Sequence, residues 1–325
     1  MAIGNDFFIR SSNGHTKIRA RLWRIEPNAA AGPPRGLVHV MHGLNGTVQR
    51  FDSLAQKLSD AGYVVFGQDV LGHGHSIERE EDRGYFAAEK GDDYVLSDLL
   101  MLHRQMKQAY PDLPVFVIAH SMGSFFARRM LISYPEEIDG AILMGTGGIK
   151  RSEYRIGRAY IKLVSFLHDE LYRPGYLTKL GLIMMNHNFQ YKSNPYAWVT
   201  TDEALLENPE ARAAFQVRPT LKLYGNLNHT LGILAREENT LHMNKHCPIF
   251  IMYGELDPMS RQGRIPEQLA SLYKQAGLEY VSLKVYPDAR HELLSDVNKA
   301  QVEEDIQTWL EACIDLVQGN EMGEA

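Results

Sequence analysis

Short apolar runs alternate with amphipathic stretches over most of the chain. The runs are rich in aliphatic and aromatic residues, which is typical of strands buried in a sheet. They occupy residues 36–41, 63–70, 114–120, 140–144, 247–253 and 280–286. Apolar residues with helical spacing lie between or after them, at 51–58, 96–107, 121–133, 265–276 and 297–317. This alternation predicts a mostly parallel sheet with helices on both faces.

Two segments depart from the alternation. Residues 6–11 and 17–25 have strand character and flank a Ser-Asn-Gly turn signal, which predicts an antiparallel hairpin at the amino-terminal end of the chain. Residues 149–245 have helical periodicity without a convincing buried strand, and they are far longer than an ordinary strand-to-helix connection. We therefore predict a core formed by 1–148 and 246–325, with 149–245 inserted as a helical cap.

The composition excludes several classes of protein. Apolar residues make up 44% and charged residues 23% of the chain, as in folded globular proteins. A net charge of −6 argues against a nucleic-acid partner, because such binding depends on a basic surface. Two cysteines, Cys247 and Cys313, cannot form a disulfide framework. Because the sequence has neither a secretory leader pattern nor an apolar run long enough to span a bilayer, we expect a cytoplasmic protein.

The first chemical signal is the pentapeptide Ala119-His120-Ser121-Met122-Gly123, which lies where a predicted strand meets a helix. It matches the nucleophile elbow, in which a sharp turn exposes a serine, with Ala119 in place of the first glycine. Small residues are needed on either side because the strained turn leaves no room for bulky side chains. A serine before a helix is also a common N-cap. The strand-turn-helix setting nevertheless favours Ser121 as a nucleophile.

A serine hydroxyl needs a base that removes its proton, and histidine suits this role near neutral pH. The chain has 13 histidines. In a sheet of this kind the acid and the histidine follow the nucleophile along the chain, on loops after later strands. Asp257 and His291 follow the last two predicted strands, at the carboxyl ends where such sites gather. We therefore predict a catalytic triad of Ser121, Asp257 and His291, and Glu255 and Asp288 remain alternatives for the acid.

Attack on an ester carbonyl creates an oxyanion, and each backbone amide directed at it lowers the barrier by about 3 kcal/mol. The amide of Met122, directly after the nucleophile, is one expected donor. The second is expected from the loop after 36–41, which reads His42-Gly43-Leu44-Asn45-Gly46. Leu44 is the candidate, through its main chain rather than its side chain.

In this order the motifs resemble the α/β-hydrolase superfamily, and within it the monoacylglycerol lipase and lysophospholipase branch. The resemblance rests on His42-Gly43, 69–76, 120–123, Asp257 and His291-Glu292, with a weaker similarity in the cap at 198–202 and 208–209. It implies an α/β-hydrolase fold with a helical cap. It also implies a serine hydrolase that cleaves acyl esters, such as monoacylglycerol or lysophospholipid, through an acyl-serine intermediate and without a cofactor.

Two other functions stay open. Serine aminopeptidases of the proline iminopeptidase type share this fold and triad, and they would need acidic cap residues to hold a free α-amine. The candidates are Asp202, Glu203, Glu207 and Glu210. The alternative from another class is a hydrolase-like scaffold that binds a ligand without catalysis. Dehalogenase and epoxide hydrolase chemistry is disfavoured because it uses a carboxylate nucleophile, whereas this elbow carries Ser121.

Three further histidines lie close to these motifs. His73 and His75 lie beside Asp69 in a glycine-rich stretch, but the set is incomplete for a metal site. The resemblance makes this stretch a structural loop near the catalytic edge of the sheet, so we expect no metal. His120 is expected to pack at the elbow rather than to act as a second base.

The predicted cap contains an apolar stretch at 160–189. We expect most of its side chains to form a core of the cap. One face is a candidate wall for an acyl chain, because flexible methionine and leucine side chains adapt to an alkyl group. Exposed apolar cap surface would also permit transient contact with a lipid interface. The expected partner is therefore a small lipid or ester substrate.

Overall fold

The computed structural model describes residues 4–24, 32–189, 194–317 and 319. In these residues eight strands form one sheet: β1 (Asn5–Arg10), β2 (Lys17–Trp23), β3 (Gly36–Met41), β4 (Tyr63–Gln68), β5 (Val115–His120), β6 (Gly140–Met144), β7 (Ile249–Gly254) and β8 (Val281–Tyr286). The helices are α1 (Asp52–Asp60), α2 (Gly91–Ala109), α3 (Met122–Ser133), α4 (Arg151–Ser165), α5 (Gly175–Met185), α6 (Glu203–Glu207), α7 (Pro209–Gln216), α8 (Leu221–Leu234), α9 (Arg264–Gln275) and α10 (Lys299–Val317).

The strand order is β1-β2-β4-β3-β5-β6-β7-β8. β1 and β2 form the predicted antiparallel hairpin, and β2 is also antiparallel to β4. All other neighbours are parallel. This topology confirms the predicted fold class. It also brings the carboxyl ends of β3, β5, β6, β7 and β8 to one edge of the sheet, where the loops that follow them meet.

Helices cover both faces of the sheet, as the alternation predicts. On one face, α2, α3 and α9 contribute buried side chains such as Leu99, Phe126 and Tyr273 to an apolar cluster. On the other, α1 and α10 contribute a second cluster that includes Leu54 and Ile306. The central strands β3, β4, β5, β6 and β7 are buried along their whole length, whereas the edge strands β1 and β8 are partly exposed.

Most element boundaries differ from the prediction by one or two residues, and the largest difference is at the start of α2. α2 begins at Gly91 rather than at 96, because its polar first turn is held by tertiary contacts that the periodicity does not report. Asp92, in that turn, is buried and pairs with Arg129 of α3 at 2.7 Å. β4 ends at Gln68 rather than at 70. The predicted end of the second strand, Ile25, lies outside the described residues.

Five helices, α4 to α8, lie between β6 and β7 in the segment predicted to be a cap. The residues of this segment that the structure describes contain no strand. The exact bounds of the cap, 149–245, stay a prediction. None of the helices in the described residues has the length and apolarity to cross a bilayer.

The expectation that most apolar side chains of 160–189 form a core of the cap is wrong for this structure. α4 and α5 have no buried residue. Their apolar side chains are largely exposed, with Leu163 at 68%, Phe166 at 89% and Met184 at 61% of full exposure. The helical period was correct. α4 packs on α8 along one side only, where Ile161 approaches Gly225, and side chains such as Leu163 and Phe166 stay in solvent.

Candidate active site

Ser121 lies in a strained turn between β5 and α3. Its φ of 50° and ψ of −117° are unfavourable for a residue with a side chain. The turn is held by the Ser121 amide, which donates to the Met144 carbonyl at 2.9 Å, and by Ser124 Oγ, which donates to the Ser121 carbonyl at 2.6 Å. Gly123 is required because a Cβ there would lie 2.4 Å from the Met41 carbonyl oxygen. The packing thus forces the hydroxyl of Ser121 out of the turn.

The three residues predicted to form a triad lie in hydrogen-bond contact. His291 Nε2 is 2.9 Å from Ser121 Oγ, and His291 Nδ1 is 3.0 Å from Asp257 Oδ2. The carboxylate fixes the proton on Nδ1, which leaves Nε2 free to accept from the serine hydroxyl. Asp257 is itself oriented by the Met259 amide, which donates to its second oxygen at 2.8 Å. The arrangement is that of a serine activated by an oriented base.

Burial and charge act on the imidazole in opposite directions. Burial alone would lower the pKa of His291, but the Asp257 carboxylate, with a contribution from Glu292, raises that pKa above its ordinary value. Asp257 is only 1% exposed, so its charge acts on the ring without screening by water. The site therefore stabilises a protonated His291 ring, which is what a general base at this position would require.

The structure distinguishes Asp257 from the two alternative acids, Glu255 and Asp288. Glu255 and Asp288 are both exposed, and the Asp288 amide donates to the Glu255 carboxylate at 3.3 Å. Of these three acids, only Asp257 has a hydrogen bond to His291.

The loop after β3 passes close to the nucleophile. A Cβ added to Gly43 would lie 3.0 Å from the Cβ of Ser121. Met122, the other predicted oxyanion donor, is the first residue of α3. The amides of Leu44 and Met122 have no hydrogen-bond acceptor among the residues that the structure describes, so both are available to a ligand. Their assignment as the oxyanion hole stays a prediction.

His42 supports this loop. Its Nδ1 donates to the Gly43 carbonyl at 2.8 Å, and its Nε2 accepts from the Val70 amide at 2.8 Å. Because one ring nitrogen donates and the other accepts, the ring is neutral. Burial lowers the pKa of His42, which favours the same state. The histidine of the His-Gly pair is therefore placed to shape the loop.

The glycine-rich loop after β4 is organised around Asp69. The carboxylate of Asp69 accepts from the amides of Val48 and His75 at 2.8 and 2.9 Å. His73 is buried, whereas the His75 side chain is 66% exposed. Among the described residues, no group of three or more histidine, cysteine or acidic side chains is placed to hold a metal ion.

A buried ionic group beside the imidazole was not predicted from the sequence. Arg50 Nη1 donates to Glu292 Oε2 at 2.5 Å, and the other oxygen of Glu292 lies 3.4 Å from His120 Nδ1. His120 Nε2 donates to the carbonyl oxygen of His291 at 3.1 Å. Burial alone would raise the pKa of Glu292, but His120, Arg50 and His291 together lower it to about 2. The adjacency of Glu292 to His291 was the one local signal, since Arg50 is 242 residues away in sequence.

Replacing Glu292 with glutamine is expected to move the acidic limb of the pH profile to lower pH. The groups that face His291 are Asp257, Glu292, Arg50 and His120, and the Glu292 carboxylate raises the pKa of the imidazole. His291 is a base only when it is neutral, so removing that negative charge extends activity to lower pH. The measurement is the rate of serine labelling by a fluorophosphonate as a function of pH.

The control for this prediction is Glu255→Gln, which removes an exposed acid that does not bond to His291. The acidic limb of the labelling profile of Glu255→Gln should coincide with that of the unaltered protein. An unchanged limb in Glu292→Gln, or a shift to higher pH, would show that the Glu292 charge does not act on the base.

A segment between α5 and α6 is fixed to the loop that carries the imidazole. The Glu292 amide donates to the Val199 carbonyl at 2.8 Å, and Arg290 Nη1 donates to the Thr200 carbonyl at 3.0 Å. Trp198 places its ring 5.0 Å from the ring of His291, centroid to centroid. The cap-side segment therefore forms part of the wall around the base.

Comparison with known proteins gives one family and several relatives. Residues 32–298 match the family Hydrolase_4, described as serine aminopeptidase, S33. Rat monoglyceride lipase is 31% identical over 121 residues, which is 35% of this chain and 36% of that protein. The aligned part of the chain thus spans about a third of the rat enzyme. A monoacylglycerol lipase of Mycolicibacterium smegmatis is 24% identical over 85% of this chain and 88% of that protein.

Solved structures resemble the whole chain. A carboxyl esterase from Bacillus coagulans, in complex with glycerol, is 26% identical and superposes with a TM-score of 0.86 over 96% of this chain and 99% of that one. A monoglyceride lipase variant from Saccharomyces cerevisiae, in complex with a substrate analogue, has a TM-score of 0.72 at 19% identity over 96% of each chain. The second likeness supports the fold alone.

Proposed function

Because the chain belongs to the α/β-hydrolase family described as serine aminopeptidase, S33, we propose that it is a serine hydrolase that cleaves carboxylic esters. Ser121 is the nucleophile, His291 the base and Asp257 the residue that orients the base. The observation that carries the proposal is the pair of contacts at 2.9 and 3.0 Å from the two ring nitrogens of His291.

In the reaction that we propose, each step uses a residue of this site. His291 Nε2 takes the hydroxyl proton as Ser121 Oγ bonds to the carbonyl carbon, and the oxyanion accepts from the amides of Leu44 and Met122. The imidazolium then gives its proton to the departing alcohol, which leaves an acyl-serine. Water, deprotonated by His291, attacks the acyl carbon, and the proton returns to Ser121 as the carboxylic acid leaves.

The substrate class that we propose is a single acyl chain on a small polar head, as in monoacylglycerol or lysophospholipid. The names of the rat and mycobacterial relatives support this class. A peptidase that holds a free α-amine is less well supported. Asp202 caps α6 through the amides of Ala204 and Leu205, and Glu203 and Glu207 are exposed. The side chain of Glu210 lies outside the described residues.

The test is a set of rates on matched substrates: monoacylglycerols, lysophospholipids, p-nitrophenyl esters and aminoacyl anilides. We expect ester hydrolysis, with monoacylglycerol or lysophospholipid cleaved faster than the anilides. Cleavage of the anilides without cleavage of esters would contradict the proposal and favour the peptidase alternative. No turnover and no labelling by a fluorophosphonate would favour the binding-module alternative.

The exposed face of α4 and α5 supports a second part of the proposal, contact with a lipid surface. On α4, Ile156 and Leu163 are about 70% exposed, and on α5, Leu180 and Ile183 are about half-exposed. Phe166, directly after α4, is 89% exposed. Exposed apolar patches of this kind commonly mark interaction surfaces. The same stretch of α4 carries several exposed cations: Arg151, Arg155, Arg158 and Lys162. Apolar and basic side chains together fit an anionic lipid interface.

The double variant Phe166→Asp/Leu167→Asp is expected to lower the fraction of protein bound to anionic vesicles by about tenfold or more, because two exposed apolar side chains no longer enter the lipid. Vesicle co-sedimentation measures this. Hydrolysis of a soluble p-nitrophenyl ester should change little. The matched control is Phe8→Asp, which alters a 58% exposed aromatic side chain on the edge strand β1. Equal binding by all three proteins would contradict lipid contact through the cap.

A further inference from the structure

A cavity of about 930 Å³ lies beside the base of the segment predicted to be the cap. Its walls come from the loop after β6, the start of α4, the end of α8, the 3-10 helix Glu237–His242 and one face of α9. The described residues that line it do not include Ser121 or His291. Its volume is that of a site for a small organic molecule.

The inner wall of this cavity contains Arg128 of α3, which is only 6% exposed. Its Nη1 donates to the Gly147 carbonyl at 2.8 Å, and it also bonds to the hydroxyl of Tyr273. Its Nε has no hydrogen-bond partner among the described residues, and no described carboxylate lies within ion-pair distance. A buried cation without a counter-charge is costly. The wall therefore offers an incompletely satisfied guanidinium.

The rest of the wall is also basic. Four more cations line it: Lys150, Arg151, Arg261 and Arg264. Two acids face them, Glu237 and Glu238, and Glu238 is already paired with Arg151. Arg261 pairs with Glu153 at 3.3 Å. The carboxylate of Glu153 also accepts from the Lys150 amide at 2.7 Å. Within the described residues, Arg128 and Arg264 have no carboxylate partner. In a chain of net charge −6, such an excess of positive charge is a local feature.

The remaining wall is apolar, with contributions from Ile149, Leu234, Ile265 and Leu272. A ligand that matches both the basic and the apolar part of the wall carries an oxyanion and a hydrocarbon portion. We propose that this cavity binds an amphiphilic anion, with a carboxylate or phosphate group at Arg128 and Arg264 and a short apolar chain along α9. This site is distinct from the triad. The carboxylate released by ester cleavage is one source of such a ligand, and only that source depends on the proposed function.

Hydrogen bonds connect this cavity to the nucleophile turn. Arg128 Nη1 donates to Thr146 Oγ1 at 3.4 Å, and Thr146 Oγ1 lies 2.8 Å from Ser124 Oγ. Ser124 Oγ in turn donates to the carbonyl of Ser121 at 2.6 Å. An anion that draws the guanidinium into the cavity acts on the residues that hold the strained turn. Occupancy is therefore expected to change the rate at which Ser121 is labelled.

Isothermal titration calorimetry on the full chain tests binding with four probes: octanoate, octyl phosphate, octanol and inorganic phosphate. We expect binding of octanoate or octyl phosphate, weaker binding of inorganic phosphate and none of octanol. Octyl phosphate binding more tightly than octanoate identifies a phosphate ester as the preferred class, and the reverse identifies a carboxylate. Binding of octanol as tightly as the two anions would overturn the proposal.

Variants assign the binding to this cavity. Arg128→Met and Arg264→Gln are each expected to weaken binding of the preferred probe about tenfold, the loss of one charge-assisted hydrogen bond. Arg264→Gln alters a helix-end side chain, so it tests the site even where Arg128→Met fails to fold. The matched control, Lys274→Gln, removes an exposed cation of α9 outside the cavity. Unchanged affinity in Arg264→Gln would overturn the proposal, as would an equal loss in Lys274→Gln.

The same titration separates this site from the active site. Serine labelling by a fluorophosphonate requires the triad but no knowledge of the substrate, so its absence would contradict the proposed function and leave the binding result intact. Blocking Ser121 with the fluorophosphonate should leave the affinity for the probe within about twofold. Loss of binding after this block would place the probe in the active site and overturn the proposal of a separate cavity.

Discussion

Replacing Ser121 with alanine is expected to lower kcat for ester hydrolysis by about 10⁵- to 10⁶-fold, to the residual level that binding and the oxyanion amides provide. The alanine variant keeps the imidazole and the carboxylate but has no oxygen that can form the acyl bond. Its folding should be close to that of the unaltered protein, because the side-chain hydrogen bond of Ser121 Oγ among the described residues is the one with His291 Nε2. Steady-state kinetics on a p-nitrophenyl ester measures the loss.

The matched control for this prediction is Ser59→Ala. Ser59 is buried on α1, and its hydroxyl has no partner among the described residues, so its removal should leave kcat within about twofold. If Ser121→Ala kept a tenth or more of the activity while folded, another residue would have to be the nucleophile.

Replacing Asp257 with asparagine is expected to lower kcat by about 10⁴-fold. The amide that replaces the carboxylate can donate to Nδ1, which would hold the proton on Nε2 and prevent that nitrogen from accepting the serine proton. The negative charge that stabilises the imidazolium is lost as well. Pre-steady-state acylation measured with an activated ester reports this step separately from product release.

Glu255→Gln and Asp288→Asn serve as controls with the same chemical change on the same edge of the sheet. Both residues are exposed and neither bonds to the imidazole, so each variant should keep activity within about threefold. A loss in Glu255→Gln comparable to that in Asp257→Asn would transfer the role of the acid to Glu255. A mild effect in all three variants would contradict the requirement for an orienting carboxylate.

The fold was predictable because its elements produce strong local signals. Each central strand is a short apolar run, and its parallel direction follows once the alternation with helices requires crossover connections. The candidate triad was predictable for a related reason. Ser121, Asp257 and His291 each follow a strand whose carboxyl end lies at the same edge, so their order along the chain implies proximity in space.

Other parts of the site depend on contacts between distant segments and leave little trace in the sequence. Glu292 pairs with Arg50, which lies in a short 3-10 helix with no motif of its own. Arg128 is one of two basic residues on α3, beside Arg129, and only the packing shows that it is buried without an acid. The pairing of Glu292 with Arg50 and the lack of an acid beside Arg128 both depend on how distant segments pack, so the spacing of residues along one helix or strand cannot predict either.

The apolar helices α4 and α5 illustrate a different limit. A helical period shows which side chains share a face, but it does not show whether protein, lipid or water covers that face. Leu163 and Phe166 satisfy the pattern of a buried helix and are nevertheless exposed. The exposure of these side chains therefore cannot be read from the helical pattern alone.

Peptide mass spectrometry after reaction with a fluorophosphonate tests the central claim most directly, because the reagent bonds only to a serine that a neighbouring base has activated. We predict one phosphonyl adduct per chain, on the peptide that contains Ser121, and no adduct when His291 is replaced by alanine. An adduct on a different serine, or an unmodified Ser121 in protein shown to be folded, would contradict the assignment of this hydroxyl and this imidazole as a catalytic pair.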